Sequence, residues 1–533
     1  MATLARTPNP RGGRLADMPL VSWGAEHPFA ASWLAAVLLG ILSGIVWPTI
    51  PSYDPFSWVV WGHAVTAPTI PFYVGSGPSW KPLPFFFTTI YGIFGSPAPW
   101  LWVVTARIGG IAGLIGAGRL CFILCRRAGL PAWAPWIASL AAIAGIVLSW
   151  NESLWTYYFF RGTSETFLIG IWLWAVERFF SGRHLQAFLL VAVEGLMRPE
   201  AWPFLLVYGV YLAWREPRLR VWIVVGIVAQ PAGWFGPPWI STGQPFLAAT
   251  HASLYNGQLG ANPILTVIQR GESLQSLPSL VLAILAAGIG LVLGRAFLRD
   301  LATRWRRPTD LLARVAAEGS EVPLVLSLAL FAVGWWIVVI VETADHYPGL
   351  QRFYLPAAAM ICVLSGYGLV RVAAWIGALA GRVGGGRPAT LVVGLLAAVA
   401  MSIGSWHWLS PRWTWAKAEE PLAALATHRI GELGVSIRAV GGIRRILPCA
   451  SSVITINHSL QTAMAWELGT DLGKVQTVLV KPGLAWVGPR DSIDGGVPPI
   501  AFSFSARQVA KVGAWSIQQV YPRGGRPGPC VGS

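Results

Sequence analysis

The residues able to do chemistry in this 533-residue chain stand in the short connections between its apolar runs. The densest stretch runs from Tyr53 to Pro84, where Asp54, His63 and Lys81 sit among aromatics and prolines directly after the first long apolar segment. Glu152, Arg161 and Glu165 follow, then Arg198 and Glu200, then Asp345, His346 and Arg352. A carboxylate or imidazole can accept a proton, and lysine and arginine can hold an anion. Charge at a membrane boundary is costly. A group of both signs drawn from at least four connections therefore reads as a site by default.

Each member also has a plainer reading. Asp54 precedes Pro55 and fits the N-cap of a short interfacial helix with proline at its first position. Lys81, between Trp80 and Pro82, fits a side chain snorkelling to lipid phosphates. Arg198-Pro199-Glu200 fits a turn between two helices, its ion pair blunting the cost of charge. His63 fits a packed interfacial residue, and Asp345-His346 plain loop polarity.

The elements that must position these residues follow from composition. With 54% hydrophobic and only 12% charged residues, the chain has too little polar surface for a soluble globule. It reads as an all-α polytopic membrane protein. About eleven apolar runs have lengths suited to roughly 30 Å of hydrocarbon, near 29–48, 100–124, 131–150, 164–180, 185–197, 200–214, 221–236, 278–297, 322–341, 353–374 and 389–409. Helices are the expected spans, because lipid satisfies no backbone amide. The first run does not read as a cleaved signal peptide, since further spans follow and no small-residue cleavage site is evident after it.

The net charge of +16 is scattered in clusters between apolar runs, which excludes a nucleic-acid partner and points to topology. With the N-terminus inside, the inner segments hold Arg6, Arg11, Arg14, Arg126, Arg127, Arg178, Arg183, Arg215, Arg218, Arg220, Arg295, Arg299, Arg304, Arg306, Arg307, Arg314, Arg371, Arg382 and Arg387. The outer connections up to residue 410 hold Lys81, Arg161, Arg198, Arg270 and Arg352. Nineteen against five places the charged connections outside the cytoplasm. The thirty tryptophans read mostly as interfacial belt and packing residues.

The organisation is thus a cytoplasmic tail over 1–28, a membrane domain over 29–410 and a small extracytoplasmic α/β domain over 411–533 with a loose glycine- and proline-rich end. In the last, a helix is expected from Ala416 to about Arg445 and a second near Leu460–Leu468. Strands are expected at Ser452–Ile456, Val475–Val480, Ile500–Phe504 and Ser516–Tyr521. Cys121, Cys125 and Cys362 lie in apolar runs as small core residues. Cys449 and Cys530 share the outer domain, and a disulfide between them is expected in an oxidising compartment.

Three stretches together resemble the GT-C glycosyltransferases. Asp54-Pro55 after the first span, and Lys81-Pro82-Leu83-Pro84 leading into the next, resemble the first outer loop of aminoarabinose transferases and protein O-mannosyltransferases. His346-Tyr347-Pro348-Gly349-Leu350-Gln351-Arg352-Phe353-Tyr354-Leu355-Pro356 is similar to the late loop of lipid-linked mannosyltransferases in that superfamily. Met197-Arg198-Pro199-Glu200 is similar to an Arg-Pro-acid turn of bacterial members. The resemblance, over roughly residues 30–410, implies a GT-C fold, a polyprenyl-phosphate-linked sugar as donor, an envelope glycan, lipid or protein as acceptor, and an inverting transfer in a bacterial plasma membrane. It implies Asp54 as general base and Lys81 and Arg352 as phosphate partners, with Arg198, held by Glu200, as a third cation. Glu152, Glu165, Asp345 and His346 would then orient sugar or acceptor, with His63 at the rim.

The chain departs from the family where Pro55 replaces the second acid of the Asp-Glu pair. No paired carboxylate stands beside Asp54 to hold a divalent ion, so no cofactor is assigned and a divalent metal stays an open alternative. Glu152 or Glu165 are the residues available as a distant second ligand. Two other functions use the same features: a transporter or flippase of a lipid-linked sugar, and a non-catalytic envelope assembly factor.

Overall fold

The computed structural model describes residues 23–24, 26–149, 154–253, 262–304, 314–315, 318–345, 347–442, 446, 453–478, 482–488 and 503–526. Each of the eleven apolar runs falls on a helix. Among the described residues, five helical stretches are long and apolar enough to cross a membrane: Pro28–Val46, Ala98–Arg127, Pro217–Thr242, Val322–Ala344 and Gln351–Ala439. Ile264–Ser273 and Leu277–Leu293, set at 99°, add a sixth if they form one broken span. The chain is a multi-pass membrane protein. Ala134–Val147 and His184–Gly195, with 14 and 12 residues, reach only about 21 and 18 Å as straight helices, short of a full crossing.

Small residues let the helices pack closely. Gly170 lies so near the Gly109 carbonyl that an added side chain would meet its oxygen at 2.3 Å, which joins Ala98–Arg127 to Ser164–Phe180 backbone to backbone. Residues 351–439 fold back on themselves at Gly384 (φ 122°) and Gly386 (φ 60°), conformations that suit glycine. Gly377 then sits against the Thr390 carbonyl, so the two arms form a hairpin. Arg107 is fully buried, and its guanidinium donates to the carbonyls of Ser43, Pro48, Phe159 and Phe160. It thereby ties the end of the first helix to Leu154–Arg161.

The returning arm, Gly386–Ala439, runs 54 residues and continues through Pro411 and Pro421, past the point near 410 where composition changes. It carries the chain into a five-stranded sheet of order β2-β1-β3-β5-β4, with β1 Val453–Thr455, β2 Val475–Gln476, β3 Gly483–Val487, β4 Phe504–Val512 and β5 Trp515–Pro522. β1 is parallel to β2 and β3, and β5 is antiparallel to β3 and β4. Helix Gln461–Leu468 packs beside it, as expected. β3 is an additional strand, and β4 begins where the expected Ile500–Phe504 strand ends. β4 is exposed at the consecutive residues Ala506, Arg507 and Gln508, as suits a strand at the edge of the sheet.

One apolar core joins this sheet to the first outer connection. Phe56, Trp58, Trp61, Trp80 and Trp102 pack in the same cluster as Ile430, Leu433, Met464, Leu472, Trp486 and Trp515. The aromatic residues around Asp54 and Lys81 are therefore a floor on which the C-terminal layer rests.

Candidate active site

Helix Tyr53–Thr66 begins after Ser52, which places Asp54 in its first turn and leaves Ser52, not Asp54, at the N-cap. The Asp54 carboxylate is thus free for another partner and accepts from Arg352 Nη1 at 3.1 Å. Arg352 stands in the short turn Gln351–Tyr354, more than 290 residues away in the chain, |i−j| being 298. Its Nε is buried and has no partner among the described residues.

Lys81 occupies the N-cap position of Pro82–Gly92, where proline at the first helical position leaves the chain extended before it. It turns inward instead of snorkelling. Its Nζ donates to Ser164 Oγ at 2.8 Å and to Glu165 Oε1 at 3.3 Å, and lies 5.2 Å from the Trp58 ring. Burial pushes its pKa down and Glu165 pulls it back up, leaving it at about 8. Arg198 donates through Nη2 to the same Glu165 oxygen at 2.9 Å and through Nη1 to Glu200 Oε1 at 3.4 Å. Its guanidinium stacks 4.4 Å from the Phe353 ring, and that of Arg352 lies 5.6 Å from the same ring.

Asp54, Lys81, Arg198 and Arg352 line one cavity of about 920 Å³. Asp345 joins them at its wall. So do residues that the sequence did not single out: Tyr158, Glu342 and Tyr347, the aromatics Trp202, Trp234 and Phe235, and the histidines His251 and His458. Tyr347 was within reach, since it belongs to the late loop that drew notice to Arg352. Nothing in the sequence relates His458, in the C-terminal layer, to Asp54.

Three expected contact residues are not at the cavity wall. Glu165 is buried behind Lys81 and Arg198, pairs with both and is absent from the cavity wall. Glu200 is likewise buried, against Arg198. His63 faces Trp466, with ring centroids 5.4 Å apart, and its Nδ1 lies 3.3 Å from the Gly92 carbonyl oxygen. Those contacts make it a packing residue between the first connection and the C-terminal layer. Arg161 is tied to Glu419 at 2.5 Å. Glu152, His346, Cys449 and Cys530 lie outside the described residues. Cys121, Cys125 and Cys362 are buried free thiols, as expected.

No group of three or more His, Cys, Asp or Glu among the described residues is placed to hold a metal ion. Among the described residues Asp54 is paired with Arg352 and belongs to no metal-holding group, and Glu165 is committed to two cations, so these residues do not fit a divalent site. What they fit is an anion. Three cations from three separate connections face one space, and arginine and lysine side chains in such a partly dry setting bind phosphate oxygens strongly.

No protein-family model matches the chain, and no curated protein does. Among solved structures it is similar to ArnT from Cupriavidus metallidurans bound to undecaprenyl phosphate, with 14% identity, 92% of this chain and 98% of that chain covered, and a TM-score of 0.48. It is also similar to the apo state of ArnT from the same organism, with 13% identity, 93% and 98% covered, and a TM-score of 0.46. That is a likeness of overall arrangement, and the roles below rest on this chain's own residues.

Proposed function

We propose that this protein is a GT-C-type membrane glycosyltransferase that moves a sugar from a polyprenyl-phosphate carrier to a hydroxyl of an envelope glycan, lipid or protein acceptor. One observation carries the reading: Lys81, Arg198 and Arg352 line a single cavity together with a carboxylate, Asp54, at the ends of apolar helices. A phosphate leaving group needs cations, the acceptor hydroxyl needs a base, and the carrier chain needs apolar surroundings.

Asp54 takes the proton of the acceptor hydroxyl as its oxygen bonds to the anomeric carbon. The bond from that carbon to the carrier phosphate breaks from the opposite side, and the electron pair leaves with the phosphate, so the anomeric centre inverts. Lys81 and Arg352 meet the negative charge that develops on the departing oxygens, with Arg198 behind them. The resting ion pair between Asp54 and Arg352 adds an order to these events. Carrier phosphate competes for Arg352, and the carboxylate is released to act as base once the phosphate is held. The cavity opens on the outer side in this reading, with the N-terminus cytoplasmic and the C-terminal layer outside the plasma membrane of a bacterium, in keeping with the bias of Lys and Arg.

The test is release of polyprenyl phosphate from a panel of labelled polyprenyl-phosphate sugars by the purified protein. Release that requires Asp54 supports the reading. Movement of an intact lipid-linked sugar across vesicles without release would replace it with a flippase, and neither activity would leave an assembly factor.

A further inference from the structure

We propose that His458, brought to the cavity by the C-terminal layer, holds the acceptor hydroxyl beside Asp54. The proposal rests on the glycosyltransferase reading and adds the residue that meets the second substrate.

His458 opens a one-turn helix, His458–Leu460, whose N-cap Asn457 accepts from Ser459 N at 2.8 Å. Three contacts fix that turn to the residue next to Asp54. Tyr53 Oη donates to Gln461 Oε1 at 3.0 Å, Thr462 Oγ1 donates to the Tyr53 carbonyl at 2.9 Å, and the rings of Tyr53 and His458 lie 4.5 Å apart at 40°. The imidazole is therefore held by its neighbours' backbone and by one ring face, and its nitrogens have no hydrogen-bond partner among the described residues. His458 lines the same cavity as Asp54.

The wall of that cavity is drawn from two parts of the fold. Lys81, Arg198 and Arg352 come from connections at the ends of apolar helices, which is where a lipid carrier must present its phosphate. His458 comes from the layer beyond those helices, where a polar acceptor arrives. Burial holds its pKa below the ordinary histidine value, with the nearby Asp54 pulling the other way. A neutral imidazole offers one donor and one acceptor, which matches a hydroxyl that must be both held and aimed. It also does not compete with the cations for phosphate.

The experiment compares His458→Ala, His458→Phe and His458→Gln in the full-length protein, using the polyprenyl-phosphate sugar that the wild type cleaves and octyl glycosides as hydroxyl probes. Ala and Phe should raise the KM for the octyl glycoside about 5- to 10-fold, the loss expected for one hydrogen bond, while the KM for the donor and the affinity for polyprenyl phosphate stay at wild-type values. Gln, which keeps a donor and an acceptor, should restore much of the lost acceptor affinity. Recovery with Phe would overturn the proposal, because the ring contact with Tyr53 would then be the whole role. Parallel loss of donor and acceptor affinity, or no change in any variant, would also overturn it. A wild type that releases no polyprenyl phosphate from any donor would overturn the glycosyltransferase reading itself, and is told apart because the unmutated protein is then silent.

Discussion

Replacing Asp54 by Asn should slow turnover and tighten carrier binding at the same time. Arg352 Nη1 lies 3.1 Å from Asp54 Oδ2, so a phosphate must draw Arg352 away from an anion before using it fully. The two side chains are 29% and 21% exposed, which puts the pair in the screened range of about 1 kcal/mol at most. Asn keeps an oxygen that can accept from Arg352 but removes the charge, so most of that energy becomes available to the carrier. The dissociation constant for polyprenyl phosphate should fall by about fivefold at most. Loss of the base should lower the rate of sugar release about 10²- to 10⁴-fold.

The assay is single-turnover release of labelled polyprenyl phosphate, paired with equilibrium binding of the unglycosylated carrier to the same preparations. A plain loss of fold would weaken binding and rate together, so opposed signs separate the mechanism from misfolding. Weaker carrier binding in the Asn variant would refute the exchange of Arg352 between Asp54 and phosphate. Turnover within a few-fold of wild type would refute Asp54 as the base, since general-base catalysis contributes about a hundredfold or more.

The three cations should respond differently to removal. Arg198→Ala leaves Glu165 and Glu200 buried and short of a partner, and should cost about 3–5 kcal/mol of stability, seen as a large drop in Tm; an unchanged Tm would refute the account of that cluster. Arg352→Ala, at a more exposed position, should leave Tm near wild type and weaken carrier binding by about tenfold or more, the loss of one charge-assisted hydrogen bond; unchanged affinity would exclude it as a phosphate partner. Lys81, with its pKa lowered to about 8, loses its charge as pH rises through that value, so carrier affinity should decline above about pH 8 in the wild type and stay flat in Lys81→Arg. The stability linkage has the opposite sense: the penalty for a buried charged lysine is present below about 8 and is relieved as pH climbs toward the unfolded value of 10.5. For topology, a single cysteine at the exposed Lys511 should react with an impermeant thiol reagent in intact cells, and one at the exposed Thr303 should not; the reverse pattern would turn the proposed site to the cytoplasm.

Much of this arrangement was legible because membrane proteins obey a small number of strict rules. Apolar runs must be helical, and charge at their ends must be compensated, so Asp54, Lys81, Arg198 and Arg352 stood out before any geometry was known. The same rules do not say which way a charge faces. Glu165 and Asp54 are both acids in the first turn of a helix, yet one is 1% exposed behind two cations and the other reaches the cavity. Only tertiary packing decides between them. His458 was hidden for another reason: the contacts that deliver it join residues as far apart as Tyr53 and Gln461, 408 positions away. β3 escaped because Gly483-Leu484-Ala485-Trp486-Val487 opens on glycine and holds one β-branched residue, its strand character coming from burial between β1 and β5.

The pairing of charges explains how so many ionisable groups are tolerated at the ends of apolar helices. Lys81 and Arg198 share one Glu165 oxygen, Arg198 adds Glu200, and Arg352 takes Asp54, so no cation at the wall lacks a counter-charge. The pairs differ in what they permit. Glu165 and Glu200 are 1% and 0% exposed and fixed among helices, so Lys81 and Arg198 keep their carboxylates whether or not an anion is present. The Asp54–Arg352 pair is partly open to the cavity, and Arg352 Nε has no partner among the described residues. Under the proposed function, a phosphate entering there gains a planar guanidinium and frees a carboxylate in the same step. Neutrality before binding and a free base after it then come from one exchangeable contact, with the buried pairs serving to hold the remaining two cations in place.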